Sequence, residues 1–323
     1  MSTGAPLRFG VLGCAAIARR MMLPAMKATP EVQLVAVASR DAAKAQAFAD
    51  EFGCAFETDY DALLARTDLD AIYLPLPPAL HEPWAVRALA AGKHVLCEKP
   101  GATSGAGAQR MAEAARENGR FLAENFMFLH HPQLIAIDNL LAQGELGELR
   151  LLRATFGFPP LPEGNMRYQQ ALGGGALLDA GCYTLRVARH FLGDGIRVVG
   201  ATQTRRDGGV DLSGAALLAN ATGLSAQIAF GFDLFYQCEL QLILTRGRIT
   251  APRIFTAPPT FSPQIVVETP QGHDTLQIAP HDHFAASLRH FAQQVKAGTI
   301  GAPDLTVQAA LIEQMESACR QST

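Results

Sequence analysis

Over its first 124 residues the chain alternates short apolar runs with helical patterns, and that alternation restricts the folds open to it. Leu7–Leu12, Leu34–Ala38, Ala71–Leu74, His94–Cys97 and Phe121–Ala123 read as short buried strands. Between them the spacing predicts helices over Ala15–Lys27 (bent or ended near Pro24), Asp41–Phe52, His81–Ala91 closed by Gly92, and Ser104–Asn118 closed by Gly119. Strands alternating with helices of this length imply βαβ units and a parallel sheet. From Leu149 the rhythm changes. A long helix, Ala176–Leu192, precedes apolar segments near 197–206, 211–220, 223–232, 238–245 and 263–268, separated by glycine-containing turns. That is the pattern of a large, mostly antiparallel open sheet. Two further helices are expected near 283–296 and 304–319. At 323 residues the chain has room for two cores. The change of architecture puts the boundary near residue 125, giving an α/β domain over 1–124 and an α+β domain over 125–323, with a site to which both contribute.

Composition narrows the partners. A formal net charge of −3 excludes the strongly basic balance of a general nucleic-acid binder, while a few local arginines suffice for a phosphate-bearing ligand. No apolar run reaches the ~18 residues a membrane-spanning helix needs, and Met1–Pro6 shows no export signal. Cys14, Cys54, Cys97, Cys182, Cys238 and Cys319 are scattered without C-x-x-C spacing, as expected of reduced thiols in a cytoplasmic protein.

The first βα turn reads Gly10-Val-Leu-Gly13-Cys-Ala15-Ala16-Ile17-Ala18. Taken as G-x-G-x-x-G/A, it uses Gly13 for the tight turn and Ala18 for close packing of helix on strand. Ala15 stands where a second glycine would admit a pyrophosphate. The extra methyl weakens the pattern, and its place at the first βα turn strengthens it. The expected fold is therefore a Rossmann domain, a doubly wound parallel sheet, binding a dinucleotide at Gly13, Ala15, Ala16 and Ile17. Such sites usually carry an Asp or Glu about 20 residues on, bonded to the ribose. Here the second strand ends in Ser39-Arg40. A carboxylate would repel a 2′-phosphate, whereas a hydroxyl and a guanidinium bind it, so NADP(H) is the expected cofactor. The alternative is a helix cap followed by a solvated arginine, with Asp41 itself available as the cap.

Two segments carry candidate chemistry. Leu76, Pro77 and His81 follow one strand, and Glu98-Lys99-Pro100 follows the next. Lys99 thus falls at the carboxyl end of a buried strand, where ligands of open α/β sheets sit. Farther on, Leu172-Gly-Gly-Gly-Ala-Leu-Leu-Asp179-Ala-Gly-Cys-Tyr183 opens a helix, with Asp179 and Tyr183 at i and i+4 on one face. A Lys, an Asp and a Tyr converging on a nicotinamide would form a proton-transfer set.

Together, the G-x-x-G-x-A-x-I-A start, the Glu-Lys-Pro motif and the Gly-Gly-Gly…Asp-x-Gly-x-Tyr segment resemble the glucose–fructose oxidoreductase / inositol dehydrogenase / MocA family over essentially the whole chain. The resemblance implies that Lys99 contacts substrate and cofactor, that Tyr183 exchanges the proton, and that Asp179 positions the substrate. It also implies cofactor contacts from Leu76, Pro77 and Glu98, with His81 either near the cofactor or a satisfied structural histidine, and assembly as a homo-oligomer. Where family members often have Pro-Asn before the His, this chain has Pro77-Pro78-Ala-Leu-His81, which leaves an Asn-mediated contact unsupplied. The segments Glu124–Pro132, Phe156–Tyr168 and Gly-Val-Asp211 are similar to the branch of nucleotide-linked 3-ketosugar reductases of deoxysugar biosynthesis, which use NADPH.

Hydride delivery to a carbonyl leaves negative charge on oxygen, which a nearby acid must neutralise. A free phenol has a pKa of about 10, and a cationic Lys99 beside it would favour the phenolate. The expectation is that Tyr183 donates the proton while Lys99 tunes it and bonds the developing oxyanion. Asp179 would orient the substrate or the lysine. Arg167, in a Gly- and Pro-bounded loop, is expected to bind substrate, its phosphates included, or to be a solvated loop residue. Read separately, Lys99 could be a surface residue, Asp179 a helix cap and Tyr183 a core aromatic. Competing functions are an NADP-dependent dehydrogenase of a free aldose or trans-dihydrodiol, and a non-catalytic NADP(H)-binding redox sensor. The pairs His130-His131 and His281/His283 lack a carboxylate cluster at ligand spacing, so no metal is expected.

Overall fold

The computed structural model describes residues 4–206 and 209–321; the first three positions of Met1–Pro6 lie outside it. The chain divides into two compact units, Met1–Met127 with Phe284–Thr306, and Phe128–His283 with Val307–Thr323.

In the first unit β1 (Leu7–Leu12) leads through a helix whose opening turn, Ala18–Met22, is π-helical into α1 (Leu23–Ala28). The expected break at Pro24 does not end this helix. Pro24 lacks an N–H, and the widened turn before it is closed instead by Leu23 N–H on the Ala18 carbonyl. β2 (Val32–Ala38), α2 (Ala42–Phe52), β3 (Ala55–Glu57), α3 (Tyr60–Ala65), β4 (Ala71–Leu74), α4 (His81–Ala90), β5 (His94–Glu98), α5 (Gly105–Glu117) and β6 (Leu122–Asn125) follow. The six strands form a parallel sheet in the order β3-β2-β1-β4-β5-β6, the doubly wound arrangement the alternation implied. Each residue of β4 is fully buried, as befits a strand covered on both faces. β3 and α3 escape the periodicity because they span three and six residues.

The second unit opens with α6 (Pro132–Gln143), β7 (Leu149–Gly157) and α7 (Cys182–Leu192). Then come β8 (Arg197–Arg205), β9 (Asp211–Ala219), β10 (Ser225–Gly231), β11 (Gln237–Leu244), β12 (Arg248–Ala251), β13 (Gln264–Thr269) and β14 (Gly272–Gln277). These eight strands make one sheet in the order β14-β13-β12-β11-β7-β10-β9-β8, antiparallel except where β7 and β10 run parallel. Along β7 and β10 one side chain in two turns inward: Leu152, Ala154 and Phe156, then Ala226, Ile228 and Phe230, form the floor on which α7 packs. α8 (His283–Lys296) lies largely within the first unit, where Phe291 packs at 5.7 Å from Phe9 and 5.3 Å from Phe121. α9 (Leu305–Gln321) closes the described chain. Among the described residues no helix is long and apolar enough to cross a membrane.

Candidate active site

All six strands of the first sheet point the same way, so the loops after β1, β2, β4 and β5 open at one end of it. After β1, Gly13 adopts φ +118°, a conformation that disfavours any side chain. A Cβ there would also lie 2.6 Å from the end of the Leu76 side chain, which would have to shift. Its N–H donates to the Ala38 carbonyl at 3.0 Å, which fastens the turn to the end of β2. Ala15, Ala16 and Ile17 follow at the partly exposed start of the helix, whose first N–H groups have no partner within the helix. Anions bind at such starts, and the cradle of Gly13, small residues and helix start fits a dinucleotide pyrophosphate.

At the end of β2, Asp41 caps α2 by accepting from Lys44 N–H at 3.1 Å, and Ser39 Oγ accepts from Asp41 N–H at 3.2 Å. The cap is therefore Asp41, and Ser39 and Arg40 make the turn. Ser39 is buried and Arg40 is exposed.

Lys99 is held by its neighbours. Glu98 turns inward, and its carboxylate accepts from Tyr73 Oη at 2.8 Å and Asn125 Nδ2 at 2.7 Å, while Asn125 Oδ1 accepts from Ser287 Oγ at 2.7 Å. Burial pushes the Glu98 carboxyl up from its ordinary range, against the pull of those two donors. Gly101 N–H donates to Glu124 at 2.7 Å, and the peptide before Pro100 is cis. His81 is fully buried, with Nδ1 at 2.8 Å from the Pro100 carbonyl and Nε2 at 2.7 Å from that of Leu76. Burial pulls its pKa down to about 4 against the raising effect of those two carbonyls; the neutral ring donates to one of them, and only the imidazolium donates to both. Glu98, expected as a cofactor contact, and His81, expected as that or as a structural histidine, thus stand behind the loops, with side chains committed to protein partners. Leu76, Pro77 and Lys99 keep partial exposure.

In the second unit the helix carrying Asp179 and Tyr183 starts with a π turn, Leu177–Gly181, ahead of α7. π turns inside helices recur at functional sites. Arg167 Nε donates to Asp179 Oδ2 at 2.7 Å, so the two substrate-binding candidates form one half-buried ion pair. Burial disfavours the charge on Arg167, but the Asp179 carboxylate outweighs it and holds the guanidinium above its ordinary pKa, with Tyr183 also in range. Tyr183 is buried in a wall of rings, 5.8 Å from Phe128, 5.2 Å from Phe156 and 5.7 Å from Phe255.

The glycines before this helix have separate reasons. A Cβ on Gly174 would lie 2.5 Å from the Arg167 carbonyl oxygen, which also accepts from Gly175 N–H at 2.9 Å. Gly175, at φ +123°, leaves room for the Asp211 carboxylate, whose Oδ2 accepts from Leu177 N–H at 2.6 Å. Asp211 thereby caps the helix from β9, and burial raises its carboxyl pKa. Only its place in a family-like tripeptide marked it in the sequence. Gly175→Ala is expected to cost about 3 kcal/mol, from backbone strain and displacement of Asp211. That would lower the melting temperature of the second unit by roughly 6–12 °C, as read by calorimetry; an unchanged melting profile would contradict this account.

The histidine pairs also cluster in this unit, with His131 edge-on to His281 at 5.8 Å and to His283 at 5.7 Å. His131 Nδ1 accepts from Gln133 N–H at 3.2 Å, which places the ring proton on Nε2 and leaves no lone pair there for a metal. Among the described residues no group of three or more metal-ligating side chains is arranged to hold an ion.

Comparison with known proteins extends this picture. Residues 7–126 match the model of an oxidoreductase family with an NAD-binding Rossmann fold, and residues 134–250 match the GFO/IDH/MocA C-terminal domain. A dTDP-3,4-didehydro-2,6-dideoxy-alpha-D-glucose 3-reductase of Saccharopolyspora spinosa is 44% identical, with 98% of each chain covered. The crystal structure of a 3-ketoreductase from Actinomadura kijaniata in complex with NADP and TDP-benzene superposes with a TM-score of 0.93 at 43% identity, over 97% of this chain and 98% of that one. A D-xylose 1-dehydrogenase (NADP(+)) of Haloferax volcanii is 36% identical over 90% of each chain.

Proposed function

The chain belongs to the GFO/IDH/MocA oxidoreductase family, and from that premise we propose that it uses NADPH to reduce a ketone, at C3, on a deoxysugar linked to a nucleoside diphosphate. The observation that carries this reading is the similarity, at 44% and 43% identity over nearly the full length of each chain, to 3-reductases of that substrate class. The Ser39-Arg40 turn agrees with it, since a hydroxyl and a guanidinium suit a 2′-phosphate and the adjoining Asp41 carboxylate is taken up by the Lys44 N–H as the cap of α2. When bound, the reduced nicotinamide supplies the hydride. Gly13, Ala15, Ala16, Ile17, Ser39, Arg40, Leu76, Pro77 and Lys99 would hold the cofactor. Tyr183 Oη donates a proton to the carbonyl oxygen, the Lys99 ammonium stabilises the charge developing there, and the Arg167–Asp179 pair orients the sugar hydroxyls. The ring wall of Phe128, Phe156 and Phe255 restricts Tyr183 to one orientation, which favours a positioned acid over a free surface phenol.

The direct test follows nicotinamide absorbance with a nucleotide-linked 3-ketosugar generated in situ, with NADH and sugar-free controls, and with NADP⁺ plus free aldoses or dihydrodiols. NADPH-selective turnover of the nucleotide sugar is expected. Oxidation of a free sugar or diol instead would move the chain to the dehydrogenase reading, and no turnover on any carbonyl or alcohol would favour a sensor. Tyr183→Phe should lower kcat about 10²-fold, the lower range for loss of a general acid, with NADPH affinity unchanged. Wild-type turnover with chemistry rate-limiting would reassign the proton to the Lys99 ammonium.

The same reading includes a homo-oligomer. On the outward face of the second sheet, Thr155, Gly200, Thr202, Ala215 and Ala229 leave a shallow hollow of about 560 Å³, and Leu217 on its lining and Val199 on β8 are 42% and 48% exposed. Arg153 and Gln227, joined at 3.0 Å, share the lining with these small and apolar side chains, and a face of that mixed kind suits a second copy of itself across a two-fold axis. Sedimentation should show a species of at least twice the 34.5 kDa chain mass, and Ala229→Arg should shift it to the monomer; a monomeric wild type would refute this.

A further inference from the structure

The end of the second sheet at which β7 and β10 finish also receives the β8–β9 turn, the segment between β10 and β11, and the segment after β12. The Arg167–Asp179 pair and Tyr183 belong to this end, because Phe156, the penultimate residue of β7, packs on Tyr183. Three arginines lie in these loops. Arg167 is committed to Asp179, and Arg206 sits 3.8 Å from Glu163. Arg253 has no acidic partner among the described residues. Its guanidinium lies over the ring of Tyr236 at 5.1 Å and that of Phe261 at 5.4 Å, donates from one terminal nitrogen to the Thr256 carbonyl at 3.1 Å, and buries an Nε with no acceptor. Tyr236 Oη meets Thr256 Oγ1 at 3.1 Å, which fixes the two loops together, and Phe255, two residues after Arg253, is itself part of the wall around Tyr183. Phe235, beside Tyr236, is 85% exposed.

With Nε buried, the guanidinium over these two rings keeps its terminal Nη1/Nη2 edge for a ligand, one Nη2 proton being taken by the Thr256 carbonyl. That edge, a fork of N–H groups, matches phosphate oxygens in pairs. Phe235, the residue before Tyr236 in the same loop, offers an exposed ring on which a base can stack. We propose that Arg253 binds the diphosphate of the nucleotide-linked substrate and that Phe235 takes its base. The inference rests on the nucleotide-sugar reading above and assigns the substrate's nucleotide to residues that sequence reading did not single out. It also relieves Arg167 of the phosphates, leaving it to Asp179 and the sugar.

The test is calorimetric titration of the full-length protein with thymidine diphosphate and with inorganic pyrophosphate, alongside NADPH binding as the check on folding. Arg253→Met, which keeps an apolar stem between the rings, should weaken thymidine diphosphate binding about 10–100-fold, the range for a lost charged hydrogen bond. In turnover the effect should appear in KM, with kcat changed little. Arg253→Lys keeps the charge and the ring contacts but loses the fork, and should fall between the two. Phe235→Ala, at an exposed position, should weaken thymidine diphosphate about fivefold and pyrophosphate not at all. If the wild type binds and turns over the nucleotide sugar while Arg253→Lys and Phe235→Ala both bind thymidine diphosphate as it does, this assignment falls and the function stands. If the wild type does not bind thymidine diphosphate, both fall.

Discussion

Lys99→Ala is expected to lower kcat/KM for the sugar substrate by about 10²–10³-fold, the loss that follows removal of one donor aimed at a developing oxyanion. The effect can be assigned to the ammonium because the backbone around it is held without it. Glu98 is anchored by Tyr73 and Asn125, the Pro100 carbonyl meets His81, and Gly101 N–H is bound by Glu124. The variant should therefore fold as the wild type does and bind NADPH within about tenfold, the loss of one contact. Lys99→Arg keeps the charge but moves it, and should recover part of kcat and little of KM. A Lys99→Ala enzyme within fivefold of wild type at saturating NADPH would remove Lys99 from the chemistry. It would leave the lysine as a strand-end residue.

The second large effect concerns cofactor choice. Combining Ser39→Asp with Arg40→Ala is expected to shift the NADPH-to-NADH ratio of kcat/KM by about 10²–10⁴-fold toward NADH. The figure follows from removing one charged hydrogen-bonding group and placing a carboxylate where a 2′-phosphate would lie, each worth about 1.5–3 kcal/mol. The change should spare α2, because the cap on that helix is Asp41, bound to Lys44 N–H. It should also spare the first turn, which is tied to β2 through the Gly13 N–H and the Ala38 backbone carbonyl. A ratio unmoved by the double variant would mean that selectivity for the phosphate comes from elsewhere on the first unit.

The elements that were legible in the sequence share one property: their signal is local. β1, β4 and β5 are short apolar runs set between helix patterns, and α2 and α5 carry their caps at Asp41 and Ser104. The alternation of β11, with Cys238, Leu240, Leu242 and Leu244 buried, is equally plain. β14 is exposed throughout, Gly272 to Gln277, so it has no apolar period to read. β7 escaped individual notice although it is the hub of its sheet, pairing with β10 in parallel and with β11 in antiparallel register. Neither partner adjoins it in the chain, and no local pattern encodes such a choice. The site divides the same way. Gly13, Lys99, Asp179 and Tyr183 stood out by motif. Asp211 was marked only by a family-like tripeptide and Arg253 by nothing, because what distinguishes them is a partner brought from far along the chain or, for Arg253, the lack of an acidic one among the described residues.

By itself the sequence determined what backbone sterics and apolar periodicity decide over a few residues: a doubly wound parallel sheet, a second and mostly antiparallel one, a glycine turn after the first strand, and a lysine at a strand end. Tertiary structure alone decided which charges neutralise each other. Arg167 meets Asp179 and Asp211 caps the helix that bears Tyr183, while Arg253 lies over two rings with no carboxylate partner among the described residues. The physical reason is range. Backbone sterics act between neighbouring residues, whereas an ion pair acts over a few ångströms of space, and sheet register sets which side chains come that close.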